Sequence, residues 1–166
     1  NLATLAKLFG LSPPELSTCR VLELGCGDGS NLIPMALALP QATFVGVDLS
    51  RRQVEVGQAE VAQLGMANLS LRHQDLLKFG DGEQPFDYII GHGIYSWVPE
   101  SVREKIWEIC SKLLSPHGIA YLSYNTYPGW HQRKMVRDMM RFHTQRIAEP
   151  ERKRAQALAM VNFVAS

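Results

Sequence analysis

The sequence predicts an α/β fold, a parallel sheet with helices on both faces, and three observations carry that expectation. A short apolar run, Val21-Leu22-Glu23-Leu24, passes directly into a turn with glycine at every second position, Gly25-Cys26-Gly27-Asp28-Gly29. A carboxylate, Asp48, closes a second apolar run and stands 23 positions after Gly25. Strand-like runs then alternate with helix-like periods, the pattern by which crossover helices wind a parallel sheet.

Each element has its own signal. Leu2, Leu5, Ala6, Leu8 and Phe9 space as an amphipathic helix over 2–9, ended by Gly10 and Ser12-Pro13-Pro14. Strand one is expected over 20–24. A helix over 30–39 follows, with Pro34 in its first turn, where the missing amide has no intrahelical partner to lose, and Pro40 closing it. Strand two spans 43–47. Ser50 is placed to cap a helix with Val54, Gly57, Val61 and Leu64 on one face and Gly65 as its stop. Residues 68–74 alternate as an edge strand with one wet face, Asp75-Leu76-Leu77 follows directly, and 78–85 reads as loop. Strand four is 86–90, leading into Gly91-His92-Gly93. Pro99 opens a helix carrying Val102, Ile106, Ile109, Cys110 and Leu113 at helical spacing. Ser115-Pro116-His117-Gly118 reads as a turn and 119–124 as strand five. A long helix is expected from 129 to about 147, with Met135, Met139 and Met140 in its core, and Pro150 separates it from a last helix.

A length of 166 residues suits one domain with a real core. The net charge of +1 gives no electrostatic footprint for nucleic acid, and Arg152-Lys153-Arg154 is too short a basic run to supply one. Three scattered cysteines, Cys19, Cys26 and Cys110, suit neither a disulfide framework nor a metal site. That cysteine usage suits a reducing, cytoplasmic setting, and no membrane partner is expected, since no run of some 18 apolar residues is present. The chain opens at Asn1, without Met and already in a helical pattern, and closes at Ser166 in another. The expectation is a domain of a longer protein.

The glycine turn fits two sites, one for a nicotinamide or flavin dinucleotide and one for S-adenosylmethionine. Position 30 is Ser where the dinucleotide fingerprint has its third glycine. Glu23, two residues before the first glycine, would repel a pyrophosphate but helps hold an ammonium. Its alternative role is a strand-end residue satisfied by local amides.

Taken in series, Glu23-Leu-Gly-Cys-Gly-Asp-Gly29, Gly46-Val-Asp-Leu-Ser50, Gln74-Asp-Leu76, Phe86-Asp-Tyr-Ile89 and Leu114-Ser-Pro-His-Gly118 resemble class I S-adenosylmethionine-dependent methyltransferases over about 20–125. The resemblance implies a Rossmann-like, doubly wound sheet in the order 3-2-1-4-5, with the ligand over strands one and four. It implies that Glu23, Gly25 and Gly27, with Cys26 between the glycines, cradle the methionine and ribose. Asp48 would take the ribose hydroxyls, Leu49 would lie near the adenine face, and Asp75 and the Leu76 backbone would meet the adenine edge. His92 would face the sulfonium. A narrower resemblance lies in Gly91-His-Gly-Ile-Tyr-Ser-Trp-Val-Pro99, Ser123-Tyr-Asn-Thr-Tyr-Pro-Gly-Trp-His131 and Met135-Val-Arg-Asp-Met-Met140. These are similar to bacterial methyltransferases with a C-terminal methyltransferase regulatory domain, including rickettsial enzymes that methylate lysines of outer-membrane proteins. On that pattern the chain 1–166 is the catalytic domain. It has a short helix over 2–9, a cofactor core over 20–125 and helices over 129–166. The closing antiparallel strand pair and the regulatory domain are absent from it, so poor turnover and an unprotected fifth-strand edge are expected.

The resemblance implies methyl transfer to a protein lysine, and a lysine acceptor must lose a proton first. Neutralising an amine of pKa near 10.4 at pH 7 costs roughly 4–5 kcal/mol, which a desolvating aromatic pocket reduces. Tyr95, Trp97, Tyr124, Tyr127 and Trp130 belong to loops after strands four and five and are candidates to line it, with packing as the alternative for each. His92 is a candidate base or orienting partner, against a buried neutral histidine fixing its turn. Tyr124 is the second candidate for the chemistry. Transfer to a small molecule, or a cofactor-binding regulatory module without activity, are the alternatives.

Overall fold

The computed structural model describes residues 2–165, and Ser166, at the end of the helical stretch expected over 129–166, lies outside them. They divide into two compact units, one that ends at Tyr124 and one that begins at Asn125.

The first unit carries β1 (Arg20–Leu24), β2 (Thr43–Asp48), β3 (Leu69–His73), β4 (Phe86–Gly91) and β5 (Leu114–Leu122) in one sheet of order β3-β2-β1-β4-β5, every pair parallel. The expected order holds. The strand period of two sends alternate residues to opposite faces. Val21, Phe44, Tyr88 and Ile90 meet α1 (Leu2–Leu8), α2 (Leu32–Ala38) and α3 (Arg51–Gln63) in one cluster. Leu22, Leu24, Val45, Val47 and Ile89 meet Ile106, Ile109, Cys110 and Leu113 of α4 (Glu100–Leu113) in the other. Strands apolar on both faces are what a sheet covered on both sides requires.

Two local expectations change. Residues 115–118 are not a turn but part of β5, because Ser115 Oγ donates to Asp87 Oδ1 at 2.8 Å and holds the chain against β4. The register jumps from Phe86↔Leu114 to Tyr88↔Ile119, and that irregularity absorbs the extra residues. Pro116 is accommodated because β5 is an edge strand. Strand five therefore ends at Leu122, and Tyr124 lies beyond it. Ser50 does head α3, but its hydroxyl makes no capping bond. The loop 78–85 is pinned by Glu83, which pairs with Arg20 at 3.2 Å and Arg72 at 2.5 Å.

In the second unit α5 (His131–Thr144) and α6 (Pro150–Ala165) form a helical hairpin, and the first of these stops short of Ile147. Met140 is half-buried in an apolar seam with Met160 and Val161, whereas Met135 and Met139, 61% and 42% exposed, are not core.

Gly57 fixes how closely α3 approaches the glycine turn. A Cβ there would collide with the Asp28 carbonyl oxygen and lie 2.6 Å from Leu71 Cδ1. Ala for Gly inside a helix normally stabilises by about 0.5–1 kcal/mol. Here the overlap with backbone reverses the sign. Gly57→Ala is expected to destabilise by about 1–3 kcal/mol and to lower the midpoint of thermal unfolding followed by circular dichroism. A raised midpoint would contradict the close packing.

Candidate functional site

The site forms where β1 ends. Gly25, at φ +73°, turns the chain in a conformation side chains rarely adopt, and a Cβ on it would lie 2.8 Å from Ile94 Cδ1. The turn's amides are largely used inside the protein. Gly25 and Cys26 donate to the Val47 carbonyl at 2.8 and 3.1 Å, Gly29 donates to the Cys26 carbonyl at 2.9 Å, and Ser30 donates to Asp28 Oδ1 at 3.1 Å. A turn committed in this way has few amides left to cradle a pyrophosphate, in line with the sequence argument from position 30.

Asp48, at the end of β2, ties the turn to the next helix. Its Oδ2 accepts from Gly27 N–H at 2.9 Å and its Oδ1 from Ser50 N–H at 2.7 Å. A carboxylate offers about four acceptor positions, so two amides leave room for two hydroxyls. Next to it Leu49 is 69% exposed, an apolar face without a protein partner over most of its surface. Asp75 heads a short 3-10 helix, Leu76–Lys78, by accepting from Leu77 N–H at 3.0 Å, and Leu76 is buried behind it.

Glu23 is the most unusual group of the set. The strand period turns it to the α2 side, between Gly46 and Ile90 of the neighbouring strands. It is 4% exposed. Oε1 accepts from Asn31 Nδ2 at 2.8 Å, while Oε2 is buried with no partner. Burial raises its pKa to about 7, against the lowering effect of the Asn31 bond. The alternative of a carboxylate satisfied by local amides therefore does not hold: one side-chain amide serves one oxygen. Burial likewise pushes the Cys26 thiol up to about 12, so it is protonated at neutral pH and unsuited to redox chemistry.

His92 is exposed, which removes the alternative of a buried histidine. Its ring stacks on Tyr121 with centroids 6.2 Å apart. Ser123 holds the segment after β4, accepting from Gly93 N–H at 2.8 Å through Oγ and donating its own N–H to the Gly91 carbonyl at 3.0 Å. Tyr124, 64% exposed, leans on Tyr95 with centroids 6.2 Å apart, and Trp107 Nε1 donates to the Tyr95 hydroxyl at 2.9 Å. Trp97 is 52% exposed, so it does not plug the domain. In the second unit the Tyr127 and His131 rings meet at a tilt of 30° with centroids 4.4 Å apart. Asn31, His92 and Tyr121 also border an apolar cavity of about 740 Å³ whose walls include Met35, Phe44 and Ile90.

The first unit thus brings together Glu23, Gly25, Cys26, Gly27 and Asp48, places Leu49 next to them, and sets His92 on the rim of the same cavity as Asn31. Sequence reasoning passed over Asn31, Tyr121 and Trp107. The first sits at a helix start, where Asn reads as a cap. The second lay inside a strand run, and the third on the polar side of a helical period. Among the described residues no cluster of His, Cys, Asp or Glu could hold a metal ion, and no helix is long and apolar enough to cross a membrane.

A parallel sheet of this order, a glycine turn after its central strand and a carboxylate closing the next strand are the features of the class I methyltransferase fold. The chain belongs to the family described as "Methyltransferase domain", whose model matches residues 21–118. It is similar to the structure of PKMT2 from Rickettsia typhi in complex with AdoHcy, with a TM-score of 0.83 and 42% identity over 99% of this chain and 32% of that one. It is 45% identical to uncharacterized protein RP789 of Rickettsia prowazekii over 99% of this chain and 30% of that protein. It is also 41% identical to uncharacterized protein RP028 of the same organism, over 98% of this chain and 65% of that protein. The chain therefore spans from under a third to about two thirds of the length of these relatives. The turn fits the cofactor: a buried acceptor without a partner suits an ammonium, and the spare acceptor positions of Asp48 suit a diol.

The raised pKa of Glu23 makes stability depend on pH. Between pH 4.5 and about 7 the folded protein keeps a proton that the unfolded chain has lost. Stability therefore falls as pH rises through that window and levels off above it, by about 3 kcal/mol in all. Glu23→Gln removes this loss. The ligand-free variant is expected to unfold at a higher temperature than the parent at pH 8 and near the parent's at pH 5. An unchanged difference between the two pH values would contradict the assignment.

Proposed function

We propose that this chain is the catalytic domain of an S-adenosylmethionine-dependent methyltransferase that N-methylates lysine side chains of proteins, within a longer chain that includes a C-terminal regulatory domain. The observation that carries the acceptor reading is two sets of rings at the segments that follow β4 and β5: His92 stacks on Tyr121 of β5, and Tyr95 lies between Tyr124 and Trp107 of α4. The resemblance of the 91–99 and 123–131 segments to lysine-methylating enzymes supports it.

On this reading Glu23 meets the cofactor's ammonium, Gly25, Cys26 and Gly27 form the turn against which it lies, and Asp48 accepts from the ribose hydroxyls. Leu49 covers one face of the adenine, and Asp75 with the Leu76 backbone meets its edge. Bound S-adenosylmethionine supplies a methyl group on a sulfonium, to be taken in line by the acceptor's lone pair as the carbon–sulfur bond breaks. The chain's own work is to orient and to desolvate. The rings disfavour the ammonium form of the lysine, and His92 accepts its proton or aligns it by a hydrogen bond. Tyr124 holds the acceptor's approach on the side of Tyr95. A second reading, a small apolar acceptor, is favoured by the 740 Å³ cavity that His92 borders.

The test is incubation of the full-length protein with methyl-labelled cofactor and a bacterial lysate. Label in protein, recovered as methyllysine after hydrolysis, is the expected result. Label in small molecules supports the second reading, and tight product binding without transfer supports a module without activity. In the same protein Asp48→Ala is expected to weaken S-adenosylhomocysteine binding by about 1.5–3 kcal/mol. His92→Phe and Tyr124→Phe are expected to lower turnover with affinity intact. Normal turnover in both would remove these residues from the acceptor side.

A further inference from the structure

Asn31 stands at the N-cap of α2, where its side chain would ordinarily accept from an amide of the first turn. It makes no such bond. Its Nδ2 instead donates to Glu23 Oε1 at 2.8 Å, across the glycine turn that separates the two residues. That bond is the one partner given to a carboxyl group that is otherwise buried, since Oε2 has none. Asn31 also borders the apolar cavity together with His92 and Tyr121, so it stands between that cavity and the turn.

We infer that Asn31 is a positioning residue for cofactor binding: its amide leaves helix capping aside and orients the Glu23 carboxyl group for the cofactor's ammonium. This rests on the assignment of Glu23 to that ammonium. A side-chain amide donating to one carboxyl oxygen fixes the plane of the group and favours its ionised form, the form that attracts a cation. The titratable group that faces Glu23 is the Cys26 thiol, on which the charges of Asp48 and Asp28 also act. The thiol is held protonated near neutral pH and does not replace Asn31 as a switch. Binding of a cation at Glu23 releases its proton below pH of about 7, so affinity rises with pH to about there and then levels. Loss of the Asn31 bond moves that midpoint upward.

The experiment is calorimetric titration of full-length protein with S-adenosylhomocysteine from pH 5.5 to 8.5, in pairs of buffers with different ionisation enthalpies to count released protons. The variants are Asn31→Ser, Asn31→Asp and Asn31→Leu, with Glu23→Gln as reference. Ser and Asp both cap helices well, so a capping role predicts that they bind like the parent and only Leu weakens. Positioning predicts that Ser and Leu weaken binding about tenfold at pH 6.5 and raise the midpoint of proton release by about one pH unit. Asp, which adds a like charge, weakens it more. Parent-like affinity in Asn31→Ser and Asn31→Asp would overturn the inference. So would weakened binding with an unmoved midpoint, because Asn31 would then touch the ligand itself. A parent-like profile in Glu23→Gln would instead overturn the assignment of Glu23.

Discussion

A carboxyl group buried at the end of the central strand is the constraint around which this site is organised. Glu23 sits where an apolar residue would continue the core of Val21, Phe44 and Tyr88, and removal of its charge from water raises its pKa to about 7. An uncompensated buried charge is costly, and a single amide from Asn31 offsets only part of that cost. Such a group weakens the ligand-free fold and becomes favourable when a cation is supplied. That is the stability–function opposition expected at a binding site.

The rest of the unit serves the turn beside that carboxyl. Asp48 binds Gly27 and Ser50 at once, which joins the turn after β1 to the start of α3. Gly57 lets α3 close on the carbonyl of Asp28, and Ile94 reaches back from beyond β4 to lie on Gly25. The turn is therefore held by three residues from two connections, Asp48 and Gly57 where β2 leads to β3 and Ile94 where β4 leads to β5. A parallel sheet whose order reverses at β1 and β4 brings those connections to one edge, and the ligand site of open α/β folds lies there.

Much of this was legible in the sequence, for physical reasons. Strands buried on both faces must be continuous apolar runs, so β1, β2 and β4 could be placed within a residue or so, and the glycines at 25, 27 and 29 announced the turn. What escaped were features decided by contact across the fold. The start of β5 depends on Ser115 reaching Asp87, which no local pattern at Ser-Pro-His-Gly reveals. The stacking of His92 on Tyr121 depends on β5 running beside β4, which brings the two rings together. Asn31 looks like a cap because residue type and position agree, yet its donor goes to a strand residue that only the folded turn brings within reach. The spare oxygen of Glu23 is a property of packing, whereas the presence of a carboxylate there was visible in the sequence.

The account's central claim is that the Glu23 carboxylate is kept for the charged arm of the cofactor. It is tested most directly by comparing affinity for S-adenosylhomocysteine with affinity for 5′-methylthioadenosine, which keeps the nucleoside but lacks that arm, in the parent and in Glu23→Gln. The account predicts that the parent prefers S-adenosylhomocysteine strongly and that Glu23→Gln loses about 1.5–3 kcal/mol of that preference, with methylthioadenosine bound almost as before. Equal weakening of both ligands, or of neither, would contradict it.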